Sequence, residues 1–237
     1  MCRFRVREVA VIVPPMDRAA DTLVVVAHEL ELGGLRAALQ ADEGGCLRGE
    51  IGGRRVRAEA VGVGLAAAAV GTASALTAAR PAHLLLLGSY GRYPGRGAPQ
   101  SDGVELLVPT VVRALDPGVA AGEAAFPEPM PVERATDESL SEPLAAASGA
   151  LRAALGVTAA ITTDDGLAFR LAAGECHGEN LEALGVALAC ERVAVPFTAL
   201  LGCTNEVGSR GREQWRRNHA AAAEATSAAA LAWLETG

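Results

Sequence analysis

Aromatic side chains are scarce in this chain: Phe, Trp and Tyr make up 3% of its 237 residues, against 50% hydrophobic residues in all. Such a core has to be packed from Ala, Val and Leu, which lose little side-chain entropy on burial. Long apolar runs are missing too, and nothing reaches the ~18–20 residues of a membrane-spanning helix. The N-terminal candidate, Val9–Val13 behind Arg3, Arg5 and Arg7, is about five residues, short of the ~7–15 of a secretory h-region, and Pro14-Pro15 stops it. A soluble, cytoplasmic protein is therefore expected, with no membrane partner. Excess positive charge is absent as well: the net charge is −7 with both signs interspersed. No basic stripe follows a helix, which argues against nucleic acid as a partner. The five cysteines (Cys2, Cys46, Cys176, Cys190, Cys203) are odd in number and form no C-x-x-C pair. His28, His83, His177 and His219 are scattered, so reduced thiols and no metal site are expected.

What is present is an alternation of strand and helix signals from about residue 22 onward. Thr22–Ala27 (TLVVVA) and His83–Leu87 (HLLLL) are apolar runs of the kind buried on both faces of a parallel sheet. Between them, Leu30–Gln40 has helical spacing with Gly33-Gly34 as a weak point, and Arg54–Val61 alternates as a strand does. Gly62-Val63-Gly64 breaks that strand, and Ala66–Ala79 is an alanine-rich helix. Gly88–Gly97 reads as a loop, Val104–Ala114 as a strand, and residues 116–148 as a polar excursion with a short helix near its end. Val157–Thr163 reads as a strand, Glu179–Arg192 as a helix, Val195–Cys203 as a strand, and Trp215 to Trp233 as a terminal helix. The pattern predicts one α/β domain over 22–237, a central mixed twisted sheet flanked by helices, with residues 1–21 as an atypical extension.

Ligands bind α/β sheets at the carboxyl ends of strands. Four polar or glycine clusters stand in such places: Ala27–Glu31, Gly88–Gly91, Asn180–Glu182 and Thr204-Asn205. Each also has a bland reading. Glu29 and Glu31 serve as solvated first-turn glutamates, Gly88-Ser89 as an ordinary turn, and Asn205 as a cap. Glu182, between Leu181 and Leu184, is harder to dismiss, because a buried carboxylate needs a partner or a task. Asp164-Asp165-Gly166 reads as a turn. Trp215 and Trp233 are expected to anchor the last helix, and Cys190 and Cys203 to be core thiols.

Taken in order, these segments resemble the purine nucleosidase and nucleoside phosphorylase superfamily over most of residues 22–233. Ala27-His28-Glu29-Leu30-Glu31 is similar to its A-x-E-x-E segment, Gly62-Val63-Gly64 to its G-x-G turn into a helix, and Leu84–Gly91 to a strand ending in G-S-A-G. Glu179-Asn180-Leu181-Glu182 resembles E-N-M-E, and Val195-Pro196-Phe197 running to Asn205 resembles V-P-F running to I-S-D or I-S-N. The stretch from Asn205 through Arg210 and Arg212 to Trp215 looks like the N-x-V-x-x-R-x-R-x-x-W of futalosine hydrolases, whereas methylthioadenosine nucleosidases carry Asp at position 205. The resemblance implies a homo-oligomeric hydrolase that cleaves futalosine to hypoxanthine in menaquinone biosynthesis, without metal or organic cofactor. It implies Glu31 as the group acting on water and Asn205 as the group holding the leaving base. Glu182 would then take the ribose hydroxyls, with Leu181 against the sugar, Leu167 or Phe169 near the base, and Gly88 and Ser89 in the substrate site. A methylthioadenosine-type nucleosidase, a phosphorylase and a catalytically silent nucleoside-binding homologue stay open. Two departures stand out. Leu201 occupies the place of an arginine that helps position water in relatives, and Tyr90 and Arg92 stand where relatives have small residues. Arg92 reads as a surface residue or as a substitute for that arginine.

Overall fold

A computed structural model describes residues 20–97 and 103–236. The chain runs β1 (Thr22–Val26), a 3₁₀ turn (Glu29–Leu32), α1 (Leu35–Ala38), β2 (Gln40–Ala41), β3 (Leu47–Ile51), β4 (Arg54–Ala60) and α2 (Leu65–Ala79). It continues through β5 (His83–Arg92), β6 (Leu106–Ala114), α3 (Pro117–Ala120), β7 (Glu133–Ala135), α4 (Glu138–Ser148) and β8 (Leu151–Val157). The last elements are α5 (Asp165–Ala172), β9 (Gly178–Asn180), α6 (Ala183–Arg192), β10 (Phe197–Glu206) and α7 (Gly211–Glu235).

All the strands of the described residues belong to one mixed sheet, as the sequence pattern predicts. β1 lies parallel between β4 and β5, and β5 is parallel to β10 on its other side. β10 pairs with β6, β6 with β8, β8 with β9, and β9 returns to β5, so this half of the sheet closes on itself. The leucine run of β5 explains the layering. Leu84 and Leu86 face the cluster formed with α2 and α6, and Leu85 and Leu87 face the cluster formed with α1, α4 and α7. Each fully buried leucine is worth about 1.5–3 kcal/mol, and β5 thereby makes a rigid platform for whatever its carboxyl end carries. The alanine-rich faces of α2 and α6 let those two helices lie close together, with Ala68, Ala75, Ala183 and Ala187 in one cluster.

Four local expectations change. The Leu30–Gln40 helix is split at Gly33-Gly34 into a 3₁₀ turn and one short α turn, because Gly33 adopts φ +43 against α7. Gly88–Arg92 is strand and not loop, since pairing with β10 and β9 supplies ladder bonds that outweigh the weak strand preference of glycine. The strand placed at Val157–Thr163 is instead β8, ending at Val157, and residues 158–164 form the loop after it. Glu179 and Asn180 belong to β9, so α6 begins only after Glu182, which stands at its N-cap position. The β2–β3 hairpin arm was not read from the sequence. Of the extension 1–21, only Ala20 and Asp21 fall among the described residues. Ala20 is buried, with its N–H donating to Ala79 O at 3.2 Å, and Asp21 takes the Arg55 backbone N–H at 2.9 Å. Among the described residues no helix is long and apolar enough to cross a membrane.

Candidate active site

The carboxyl ends of β1, β5 and β10 lie side by side, and the segments leaving them line a cavity of about 420 Å³. Glu31 enters it from the 3₁₀ turn after β1. Its Oε2 accepts from the backbone N–H groups of Ala27 (3.0 Å) and His28 (3.2 Å), and its Oε1 accepts from the Ser89 hydroxyl at 3.3 Å. The His28 ring completes the turn by accepting from Leu30 N at 3.2 Å. Burial pushes the Glu31 carboxyl up to about 7, the negative charge of Glu182 adds to this, and the two backbone N–H donors only partly oppose it. Glu29 points away, is exposed, and pairs with Arg36 at 3.2 Å. The solvated reading thus fits Glu29, while Glu31 faces the cavity.

Glu182 is 6% exposed and held by three hydrogen bonds, which leave acceptor capacity on its carboxylate. Its Oε1 accepts from Gly64 N at 2.8 Å, and its Oε2 accepts from Asn180 Nδ2 at 2.9 Å and Leu181 N at 3.3 Å. Burial raises its proton affinity, and the Gly64 N–H offsets part of that rise. Gly64 can present its N–H because it sits at φ +88, in the region that favours glycine. Asn180 also donates to Ser89 O at 3.0 Å, and its own Oδ1 accepts from the N–H groups of Glu182 and Ala183 at 2.7 and 2.8 Å. One amide therefore ties the glutamate to the end of β5.

A register shift between Cys203 and Asn205 in the pairing of β10 with β5 aims Asn205. Its Oδ1 accepts from the Thr204 hydroxyl at 2.8 Å, and its Nδ2 donates to Glu206 O at 3.0 Å. A carbonyl on one side and a hydroxyl donor on the other determine which way round the amide lies, leaving the second Nδ2 hydrogen for a ligand. Gly91 and Gly211 flank this amide, where a methyl group would come within 2.8 and 3.1 Å of Nδ2.

Of the residues singled out in the sequence, Glu31, Gly88, Ser89, Leu181, Glu182 and Asn205 line this one cavity. Leu167 and Phe169 do not. Because β8 ends at Val157, the cavity wall is made by Ile161, Thr162 and Thr163. α5 then carries Phe169 to the surface at 64% exposure and packs Leu167 against the apolar cluster that includes Tyr93 and Val207. Glu179 holds the new wall, accepting from Thr162 N (2.9 Å), Thr162 Oγ1 (2.7 Å) and Tyr93 OH (3.1 Å). Asp164 caps α5 by accepting from Leu167 N at 2.7 Å. Asp165 accepts from the N–H and hydroxyl of Ser209 at 2.7 and 3.0 Å, clasping the loop that follows Asn205.

Trp233 anchors α7 as expected, at 6% exposure, but Trp215 does not. It is 40% exposed, stacks on His219 with ring centroids 4.6 Å apart, and lines the cavity with Arg212 and Arg216. The helical spacing of 212, 215, 216 and 219 was visible in the sequence; which way that face turned was not. Leu201 is fully buried, paired with Gly88 in the β10–β5 ladder. Arg92 neither replaces an arginine there nor lies on the surface. Its side chain is 13% exposed, faces Glu105 at 3.6 Å, and does not line the cavity. Tyr90 and His177 both bond Glu105, and although burial raises that carboxyl, their hydrogen bonds and the nearby cations hold it below its usual value. Cys190 is buried and Cys203 half-buried, both as free thiols. Among the described residues no three His, Cys, Asp or Glu side chains group as metal ligands.

This architecture is the single-domain nucleoside phosphorylase-like α/β fold, shared with the purine nucleosidases. In particular, the chain is similar to the 5′-methylthioadenosine/S-adenosylhomocysteine nucleosidase of Neisseria meningitidis in complex with methylthio-immucillin-A. That match has a TM-score of 0.78 at 20% identity and covers 92% of this chain and 100% of the other. It is similar also to a futalosine hydrolase mutant of Helicobacter pylori, with a TM-score of 0.78 at 14% identity over 91% of this chain and 99% of the other. The nucleosidase of Colwellia psychrerythraea in complex with adenine gives 0.78 at 18% identity over 92% and 95%. No protein-family model matches the chain, and no curated protein sequence matches it significantly.

Proposed function

We propose that the chain hydrolyses the N-glycosidic bond of a 6-oxopurine nucleoside, futalosine being the substrate its residues suit best, in the cytoplasm and as a homo-oligomer. One observation carries the reading: Glu31, Glu182 and Asn205, from three distant stretches of sequence, converge on one cavity at the carboxyl ends of the strands. Glycoside cleavage passes through a cationic ribosyl species and needs exactly such a division of labour: a base for water, an acceptor for the sugar, a donor for the leaving base.

In this reading Glu31, at about 7, is poised to take a proton from water near neutral pH. The water oxygen bonds to the anomeric carbon, the bond to the purine breaks, and its electron pair goes to the base. Glu182, held by Gly64, accepts from the ribose hydroxyls and lends negative charge to the cationic sugar. The free Nδ2 hydrogen of Asn205 donates to N7 or O6 of the leaving purine. An amide cannot hand over a proton, so it suits a base whose anion is itself stable, and the 6-oxo group spreads that charge. The departing base then takes its proton from solvent.

A second reading, a 5′-methylthioadenosine-type nucleosidase, draws on the nucleosidases among the fold neighbours. Against it, an adenine reader does better with a carboxyl that can protonate than with Asn205. Phosphorolysis is disfavoured because the segment after β1 carries no arginine to cradle phosphate before Arg36, which is paired with Glu29. A base-release assay on futalosine, inosine, adenosine and methylthioadenosine, with and without phosphate, decides between them. Hypoxanthine release from futalosine independent of phosphate is the expected result. Adenine release alone would favour the second reading, ribose 1-phosphate products would move the chain to the phosphorylases, and tight binding without release would mark a silent homologue.

A further inference from the structure

One buried carboxylate at the cavity has no part in the proposed chemistry. Glu179 is 7% exposed, lines the cavity, and directly precedes Asn180 on β9. Three groups converge on it as donors: the Thr162 N–H on Oε1 at 2.9 Å, and the hydroxyls of Thr162 and Tyr93 on Oε2 at 2.7 and 3.1 Å. Burial and the charge of Glu179 push the Tyr93 phenol up, so it stays a donor. Among the described residues no cation lies within ion-pair distance of Glu179. Burying an anion without a counter-charge is costly. What it returns is grip, because hydrogen bonds to a carboxylate are roughly twice as strong as neutral ones.

What Glu179 grips is the segment after β8. Thr162 is buried against it, while Ile161 is 47% exposed, and both line the cavity together with Thr163. This segment is tied to the surroundings of Asn205 from several sides. Tyr93 belongs to the same apolar cluster as Val207, which follows Asn205 closely in the chain, and Asp165 holds Ser209. Glu179 itself pairs with Gly91 across the β9–β5 ladder, and Gly91 flanks the Asn205 amide. A base held by Asn205 therefore has this wall beside it, with the Ile161 side chain free to cover an apolar face. Resting on the hydrolase reading above, we infer that Glu179 is a positioning residue for the leaving base: through Thr162 it sets where Ile161–Thr163 stand. Its oxygens keep acceptor capacity beyond these three bonds, so direct action of its charge on the sugar is the rival role, and the two predict different losses.

The test measures inhibition by two probes at one pH: hypoxanthine, the base without a sugar, and an iminoribitol, a cationic sugar without a base. The variants are Glu179→Ala, Glu179→Gln, Thr162→Val and Thr162→Ser. Hypoxanthine should bind about tenfold or more weakly to Glu179→Ala, which frees the wall. It should lose only a few-fold in Glu179→Gln, whose amide accepts from the Thr162 N–H and donates to the two hydroxyls without the charge. Thr162→Val should lose a few-fold as well, and Thr162→Ser, which keeps both donors, should match the wild type. The iminoribitol should bind all of them within about twofold. Unchanged hypoxanthine binding in Glu179→Ala would overturn the inference. So would an iminoribitol loss as large as the base loss, which would make Glu179 a charge acting on the sugar or a support of the fold at large. If Glu179→Ala does not fold, the Thr162 pair decides: a base-specific loss in valine restored by serine sustains the role, and equal behaviour of the two ends it. If the wild type cleaves no nucleoside, the hydrolase reading fails separately and the same comparison is made by calorimetry, with adenine in place of hypoxanthine should that be the base it binds. A wild type that binds neither base would end the inference as well.

Discussion

Replacing Asn205 by Asp changes one atom's chemistry and almost nothing of its shape. Nδ2 now donates to Glu206 O at 3.0 Å and is hemmed in by Gly91 and Gly211, so a larger side chain would confound the result, whereas an isosteric one does not. A carboxylate there would set an oxygen against the Glu206 carbonyl and another acceptor against O6 or N7 of a 6-oxopurine. Losing one donor and gaining one acceptor clash in a partly dry site is worth about 1–3 kcal/mol, so kcat/KM on inosine and futalosine should fall about tenfold to a hundredfold. Adenosine and methylthioadenosine should be spared or improved, because a protonated Asp can donate to N7 while its other oxygen accepts from the 6-amino group. The assay is base release on both substrate classes, with Glu182→Gln as the control that weakens both alike through the ribose. An equal loss on both classes in Asn205→Asp would refute the idea that this amide reads position 6.

The other expectations are briefer. Glu31→Gln should abolish hydrolysis while nucleoside binding, followed by calorimetry, persists; retained turnover would assign water activation elsewhere. Because only the carboxylate can act as a base, wild-type kcat should rise with pH through about 7, and a flat profile from pH 5 to 8 would contradict the raised proton affinity. The same shift has a stability sign. A carboxyl raised from 4.5 to about 7 by burial favours the folded state in its protonated form, a contribution present below about 4.5 and lost as pH rises through about 7. Glu31→Gln should therefore look more stable, relative to wild type, at pH 8 than at pH 5, by about 1–3 kcal/mol in paired denaturant titrations. Gly64→Ala, forced to φ +88, should cost about 1–2 kcal/mol and raise KM by disturbing the N–H that holds Glu182; an unchanged KM would show that Glu182 does not depend on it.

The fold was largely legible because apolar runs such as TLVVVA and HLLLL can only be buried on both faces, and helices must then cover both. Errors gathered where tertiary pairing overrides local preference. Gly88–Arg92 has loop composition but is held as strand by β10 and β9. The β-branched VTAAITT segment invited a strand that the sheet places earlier, at Leu151–Val157. Leu167 or Phe169 was placed near the base by the resemblance alone, and the structure puts Ile161–Thr163 in the cavity wall instead. Glu182 was legible for a different reason, since an acid amid leucines has no cheap way to be buried, whereas Glu31 was marked out by the resemblance alone. The cationic face of α7 could be written down from its spacing, but nothing in the spacing says whether a face meets solvent or a cavity.

Leu201 brings these strands of reasoning together. In the families this chain resembles, an arginine at that position helps to place water, so leucine reads at first as a loss. In the structure Leu201 is wholly inside the apolar layer, and its side chain and the Glu31 carboxyl both lie 3.4 Å from where a side-chain carbon on Gly88 would sit. An arginine in that neighbourhood would favour the carboxylate form of Glu31 and hold its proton affinity down. With leucine there, burial and the charge of Glu182 act unopposed by a nearby cation, and the group rests at about 7. On the proposed mechanism, leucine there exchanges a charged positioning group for a base that is stronger near neutral pH, with Ser89 and two backbone N–H groups left to orient it. On that argument the pH limb near 7 belongs to the apolar setting of Leu201 as much as to Glu31 itself.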